Sequence, residues 1–412
     1  MTLWDRRRIL FLLILLCAGA PLAVLNGLRQ DSTTDFYVFW NAGRHFFQGE
    51  PLYIQPAYSQ YIYPPFAAMV FQLFAILPVQ IAGGLFYLLN AALWVLSIVL
   101  THKILTVVMP GRRISRLRKI SRLLTLSVLL TASYFFMNMN AGQSNQIIFV
   151  LCLTGIYCFL KERWIFSSLA FVCAVFIKVT PVFFILWHII RRGRQTILPT
   201  GIIAVMCFSA PFFLRGISNG IQDHKDYYEI VFKPFLENKV IPNTPNQSLT
   251  GLFYRIFRPY ENKQHYNYAY FPQSEGTARV VYKTASVITF LAFLLFVVFR
   301  AVKCLPVTGL ELCSVFLASH LLSTITWRVH LVSLLFIFTV FFLIEREKLT
   351  KPMRIFLYCI YGMIAFISVT SQDIMGIWAY YHLSGYSIVG WTLVLLFISS
   401  LWFSGIRNQK SG

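Results

Sequence analysis

Acidic side chains are scarce in this sequence. Its 412 residues carry 15 Asp and Glu against 36 Lys and Arg, and charged residues of both signs make up only 12%. A soluble domain carries about 25%, so a chain of this length has too little polar surface to cover a water-facing exterior. Metal-ligand patterns are also missing. There is no DxD and no HExxH, and none of the eight His has a partner at ligand spacing, so neither a metal nor any other cofactor is expected. No Gly-rich phosphate cradle occurs, which argues against a cytosolic nucleotide-driven pump. The eight Cys form no CxxC pair. Cys17, Cys152, Cys158, Cys173, Cys207, Cys313 and Cys359 fall in apolar runs and Cys304 in a short basic connector, so they read as small buried side chains and not as a disulfide framework.

What the sequence has in abundance is apolar surface: 57% hydrophobic residues, 17% aromatic, and a mean hydropathy of +0.65. Apolar runs long enough to cross a bilayer recur from end to end, which excludes disorder and collagen-like repeats and makes this an all-α polytopic membrane protein. The net charge of +21 would suit nucleic acid, but 23 of the basic residues lie in seven short stretches between apolar runs. That distribution marks cytoplasmic connectors, so membrane lipids are the expected surroundings and no nucleic-acid partner is expected.

Taking those stretches as inside gives about twelve spans near residues 9–27, 80–101, 123–138, 147–160, 164–177, 181–190, 195–214, 281–299, 308–322, 331–344, 354–370 and 386–405. Both termini are then cytoplasmic, and the whole chain, 1–412, reads as one integral-membrane domain ending in helices over 281–405. The runs flanking Lys178-Val179-Thr180-Pro181 are short, which suits a helical hairpin whose tip stops inside the outer leaflet. The run from Phe66 to Leu77 reads as an interfacial or re-entrant helix. Arg6 to Arg8 followed by an apolar stretch resembles a signal peptide, but Leu16 before Cys17 does not suit lipoprotein cleavage and the apolar character continues to about Leu25, so a retained span is expected.

Two long segments then face outward, 28–79 and 215–280, with smaller tips near Asn140, Trp327 and Asp373. Ten of the fifteen acids lie on that side, so any chemistry should sit there. In the first segment, Thr33 or Thr34 can cap a helix that begins near Asp35 and stops at Gly49. Tyr37, Asn41, Arg44, His45 and Gln48 share one face, and Phe36, Phe39, Trp40, Gly43 and Phe47 the other, as in a helix lying on the membrane surface. Asp35 at its start is open to two readings: a carboxylate favoured by the helix dipole, or a catalytic group.

Lys178 lies between strongly apolar runs. A lysine at bilayer depth costs about 2.5–3.5 kcal/mol, so it faces a polar cavity, pairs with an anion or snorkels to the surface. The tip from Asn140 to Gln146 is dense in amides, which cap helix ends or bond sugar hydroxyls. The second long segment carries Asn246-Gln247-Ser248, a glycosylation sequon, and then Arg255. The Ser323 to His330 tip ends in a histidine of a kind that usually just satisfies a helix end.

Individually weak, these elements occur in an order that resembles glycosyltransferase family 87, membrane-embedded mannosyltransferases of the GT-C fold class that use polyprenyl-phosphate mannose. The resemblance is carried by Asp35-Phe36 through Arg44, Gly49-Glu50-Pro51-Leu52-Tyr53, Tyr61-Ile62-Tyr63-Pro64-Pro65 and Gly142-Gln143-Ser144-Asn145. It continues in Lys178-Val179-Thr180-Pro181, Asn246-Gln247-Ser248-Leu249 and the Ser323 to His330 tip. A second polar residue belongs near Val329 in the family pattern and is absent.

The resemblance implies inverting transfer of a hexose, mannose first, from a polyprenyl-phosphate donor to a glycolipid, glycan or protein hydroxyl on the extracytoplasmic face of a plasma membrane, a bacterial inner membrane by preference. Asp35 would be the base and His330 a second catalytic group. Lys178, Arg328 and, more weakly, Arg255 would hold phosphate, with Arg44, Tyr63, Gln143, Asn145, Asn246 and Gln247 as further substrate contacts. Two other readings compete. A transporter or lipid flippase fits the span count but needs gates on both sides, and the polar groups lie on one. A polysaccharide polymerase or ligase would use a lipid-pyrophosphate donor.

Overall fold

The computed structural model describes residues 21–22, 24–31, 34–54, 60–109, 114–236, 245–258 and 269–406. Arg6 to Arg8, most of the first expected span with Cys17, the Thr33 cap and the basic tail at Arg407 and Lys410 lie outside the described residues. Among the described residues the regular structure is helical throughout. In chain order the main helices are α1 (Asp35–Gln48), α2 (Pro65–Ala75), α3 (Val79–Val108), α4 (Ile114–Asn140), α5 (Asn145–Leu160), α6 (Trp164–Ile177), α7 (Val182–Arg192) and α8 (Arg194–Arg215). They continue as α9 (Ile217–Asp226), α10 (Leu249–Phe257), α11 (Glu275–Val302), α12 (Gly309–Leu321), α13 (Leu334–Phe342), α14 (Lys351–Val369), α15 (Gln372–Gly385) and α16 (Ile388–Ile406).

Among the described residues, six helical stretches are long and apolar enough to cross a membrane: Val79–Val108, Leu117–Asn140, Arg194–Arg215, Glu275–Val302, Lys351–Val369 and Ile388–Gly405. Large apolar side chains point outward from them, among them Val205 and Phe213 on α8 and Leu295 and Val302 on α11, as acyl chains require. Other runs expected to span are shorter. The 16 residues of α5 and 14 of α6 rise about 24 and 21 Å at 1.5 Å per residue, less than the roughly 30 Å of a hydrocarbon core.

The chain divides into two compact units, residues 1–100, 135–179 and 197–238, and residues 101–134, 180–196 and 239–412. In the first, α1 packs on α2 and α5 on α6. Thr34 caps α1 by accepting the Tyr37 N–H, and Gly49 ends it in a left-handed turn (φ +75°). The expected faces need correcting: Phe46 and His45 are buried while Phe47 is exposed, because α2 covers the Phe36, Phe39 and Gly43 side. A Cβ on Gly43 would meet the Phe71 backbone at 2.6 Å, so glycine is what permits this close crossing. Phe39 stacks on Phe71 at 4.5 Å, and the Trp40 indole N–H donates to the Leu77 carbonyl at 3.0 Å. The expected short helix over 66–77 is α2, opened by Pro65 in its first turn.

In the second unit α12 and α13 form the core. Every residue of α13, LLFIFTVFF, is buried, which explains a sequence apolar all round. The fold differs from expectation at residues 371–385, read as a tip and found as α15. Gly376 (φ +78°) kinks this helix and lets the chain turn inside what hydropathy shows as one polar-aromatic patch. Residues 217–236, read as loop, are helical, with one π-helical turn at Tyr227–Phe232.

Candidate active site

Asp35 opens α1, and three local features fix where its carboxylate sits. Its backbone N–H donates to the Ala141 carbonyl at 3.2 Å, joining α1 to the tip between α4 and α5. The next residue, Phe36, is fully buried and stacks on Phe86 at 4.7 Å. Gly142, at φ +69°, lies so close that a Cβ there would sit 2.7 Å from the Phe36 Cβ. Only glycine combines that backbone angle with that contact.

The amide-rich tip is then used in an ordered way. Gln143 Nε2 donates to Asp35 Oδ2 at 2.6 Å. Asn145 Nδ2 reaches Gln143 Oε1 at 3.4 Å and Asn138 Oδ1 at 3.1 Å, and Lys178 Nζ donates to Asn145 Oδ1 at 2.8 Å. Each amide thus turns its N–H end toward the carboxylate and its oxygen toward the ammonium. The result is a polarised chain, Asp35–Gln143–Asn145–Lys178, in which acid and base face the same network without touching. Asn138 also donates to Asn90 Oδ1 at 3.4 Å, backing the chain from α3. Sequence reasoning missed Asn138 and Asn90. Asn138 stood in plain view seven residues before Asn145, but a polar residue late in an apolar helix carries no sign of what it faces.

Burial raises the Asp35 carboxyl above its ordinary range. The Gln143 hydrogen bond, and after it the positive charge of Lys178, partly offset this. Tyr63 is packed against Phe39 at 4.6 Å, and Lys178 Nζ lies 5.8 Å from its ring. Its hydroxyl is pushed up, first by burial and then by the negative charge of Asp35. Five candidates, Asp35, Tyr63, Gln143, Asn145 and Lys178, are therefore together in the first unit. Arg44, also there, stacks over Trp40 at 5.6 Å and stands outside this chain.

The remaining candidates belong to the second unit. Asn246 accepts from the Ser248 and Thr326 N–H groups at 3.1 and 3.0 Å and donates to the Thr324 carbonyl at 2.9 Å. Gln247 donates to the Ser384 carbonyl and accepts from the Gly390 N–H. Both amides tie the start of α10 to neighbouring backbone. Asn246 is also fully buried, so in the folded chain the sequon is closed to a glycosylating enzyme. Arg255 is buried and donates to Ser387 Oγ.

At the histidine tip, His330 Nδ1 accepts the Trp327 N–H at 3.2 Å, which puts its ring proton on Nε2 and gives it the helix-capping role such residues usually have. Arg328 is the more informative residue. It is 2% exposed, its Nη1 donates to the Thr370 carbonyl, and its guanidinium lies 4.9 Å over the Tyr380 ring. Its Nε and Nη2, the edge that grips a carboxylate or phosphate bidentately, have no partner among the described residues.

The first unit thus holds a buried carboxylate wired through amides to a lysine, in a helical chain with membrane-length spans. Residues 61–324 match the model of glycosyltransferase family 87, and the chain belongs to that family. It is accordingly a membrane glycosyltransferase, with a sugar donor and an acceptor. The match takes in Tyr63, Gln143, Asn145, Lys178, Asn246, Gln247 and Arg255, and stops short of Asp35, Arg44, Arg328 and His330. A search of curated proteins found no match.

Proposed function

We propose that this protein transfers a hexose, mannose first among candidates, from a polyprenyl-phosphate donor to an acceptor hydroxyl on a glycolipid, glycan or protein. We assign the reaction to the extracytoplasmic face of a plasma membrane and the chain to the GT-C fold class. The observation that carries the reading is the Asp35–Gln143–Asn145–Lys178 chain. Asp35 takes the proton of the acceptor hydroxyl as its oxygen attacks the anomeric carbon from the face opposite the phosphate. The bond from that carbon to the phosphate oxygen breaks, and its electron pair leaves with the lipid phosphate. The configuration inverts.

Phosphate departs without a general acid, so one base and nearby cations suffice, and no metal ion takes part in this scheme. Lys178 is the cation at the Asp35 end of this scheme; Arg328, with His330 and Arg255 in a supporting role, is a separate proposed anion contact within the second unit. Gln143 holds the Asp35 carboxylate by one oxygen and leaves the other for the acceptor. Asp35→Asn is expected to cut transfer at least about 100-fold, the lower end of what a general base contributes, with insertion and thermal stability retained. Near-normal transfer from a polyprenyl-phosphate hexose by this variant would remove Asp35 from the chemistry.

A further inference from the structure

The tip between α4 and α5 holds more polar groups than the proton-handling chain uses. Gln143 is committed to Asp35, and Asn145 to Lys178 and Asn138. Ser144 and Gln146 are not. Ser144 stands at the N-cap of α5 yet makes no capping bond with its hydroxyl, and Gln146 lies in the first turn. Both are 0% exposed, and among the described residues Ser144 Oγ, Gln146 Oε1 and Gln146 Nε2 all lack a hydrogen-bond partner.

A buried polar atom left unpaired keeps the full cost of losing its water. Three such atoms in two residues flanking Asn145 are a standing cost unless a ligand meets them. Their chemistry narrows that ligand. The amide offers both a donor and an acceptor, and the hydroxyl offers both as well. A phosphate or carboxylate would satisfy the donors and be repelled by Gln146 Oε1. An ammonium would satisfy the acceptors and leave the Nε2 hydrogens unmet. Neighbouring alcohols, each able to give and accept, match the whole set.

We propose that Gln146 and Ser144 bind hydroxyls of the transferred hexose and so determine which hexose the enzyme accepts. This rests on the hexosyl-transfer reading above and deepens it. Hydroxyls that reach this buried pair exchange unmet polar atoms for hydrogen bonds. A site built to bond a substrate hydroxyl rejects an analogue lacking it far more strongly than apolar packing can.

The test uses the full-length protein in detergent with farnesyl-phosphate mannose, glucose and galactose and the monodeoxy mannose donors. Discrimination is read as ratios of kcat/KM, beside thermal unfolding. For Gln146→Met, which keeps the shape and removes both polar ends, the expected result is an unchanged or raised Tm. At one hydroxyl position, the wild-type preference over the deoxy or epimeric donor should fall at least tenfold. Ser144→Ala gives the same reading independently should Gln146→Met fold poorly. Preference ratios unchanged across the whole series in a folded, active variant overturn the assignment while leaving hexosyl transfer standing. Absence of transfer by the wild type from every one of these donors overturns hexosyl transfer from lipid phosphate, and this assignment with it.

Discussion

The proposed base must be ionised to work, and Asp35 is held where ionisation is hindered. Its carboxyl is raised by burial and brought partway back by Gln143 and then Lys178. The acidic limb of kcat/KM against pH is therefore expected above the ordinary carboxylate range of about 4. Lys178→Met removes a positive charge that favours the carboxylate, so it should move the limb to still higher pH as well as weaken donor binding. Gln143→Leu should move it in the same direction, and further, because the hydrogen bond is the larger of the two offsetting effects. A limb at the same pH in all three proteins would show that Asp35 is not the titrating group. The stability linkage has the opposite sense from a salt-bridged acid. A carboxyl raised on folding binds its proton more tightly in the native state, so its contribution to stability falls as pH rises from the ordinary value through the raised one.

At the scale of elements, what could be read in advance was what local chemistry decides. Thr34 and Gly49 bound α1 as cap and left-handed stop, and the Lys178 to Pro181 break separates α6 from α7, because each signal lies within a few residues of its effect. The order of Asp35, Gln143, Asn145 and Lys178 was legible as well, but not that Gln143 reaches back 108 positions to the acid. Pairings at that range leave no periodicity. The clearest case is Glu311, which drew no notice as an isolated acid at the start of an apolar run. It is fully buried on α12, bonded by Trp187 Nε1 at 2.8 Å and Arg300 Nε at 2.7 Å, with Arg191 Nε at 3.2 Å. Arg191 and Arg300, which the sequence reading placed in the basic cytoplasmic connectors, are structural ties between α7, α11 and α12, with their side chains 7% and 1% exposed. Glu311→Gln leaves two buried guanidinium groups without their anion. The expected loss is about 3–5 kcal/mol, seen as a lower Tm in detergent, and wild-type stability in that variant would mean water reaches these arginines.

For the whole molecule, charge proposes an inside and an outside, and the first unit supplies a ruler for testing that assignment. Helix α5 begins at Asn145, in the Asp35 network, and ends at Leu160 beside the exposed Lys161. Its length puts about 24 Å between the two ends, and α6 packs against it on the way back from Trp164 to Lys178. The carboxylate and the Lys161–Arg163 turn therefore lie at opposite ends of one helix pair, and if basic turns stay cytoplasmic the Asp35 end faces out. Asn140, exposed in the tip whose Ala141 carbonyl accepts the Asp35 N–H, reports on the network end and Lys161 on the other. In a background with the eight native cysteines replaced, a membrane-impermeant thiol reagent added to intact cells should label Asn140→Cys and reach Lys161→Cys only after permeabilisation. The reverse pattern would put Asp35 on the cytoplasmic side, where an acceptor would have to arrive from the cytosol. The positive-inside reading and the proposed extracytoplasmic transfer would then fail together, because both rest on which end of α5 meets the outside.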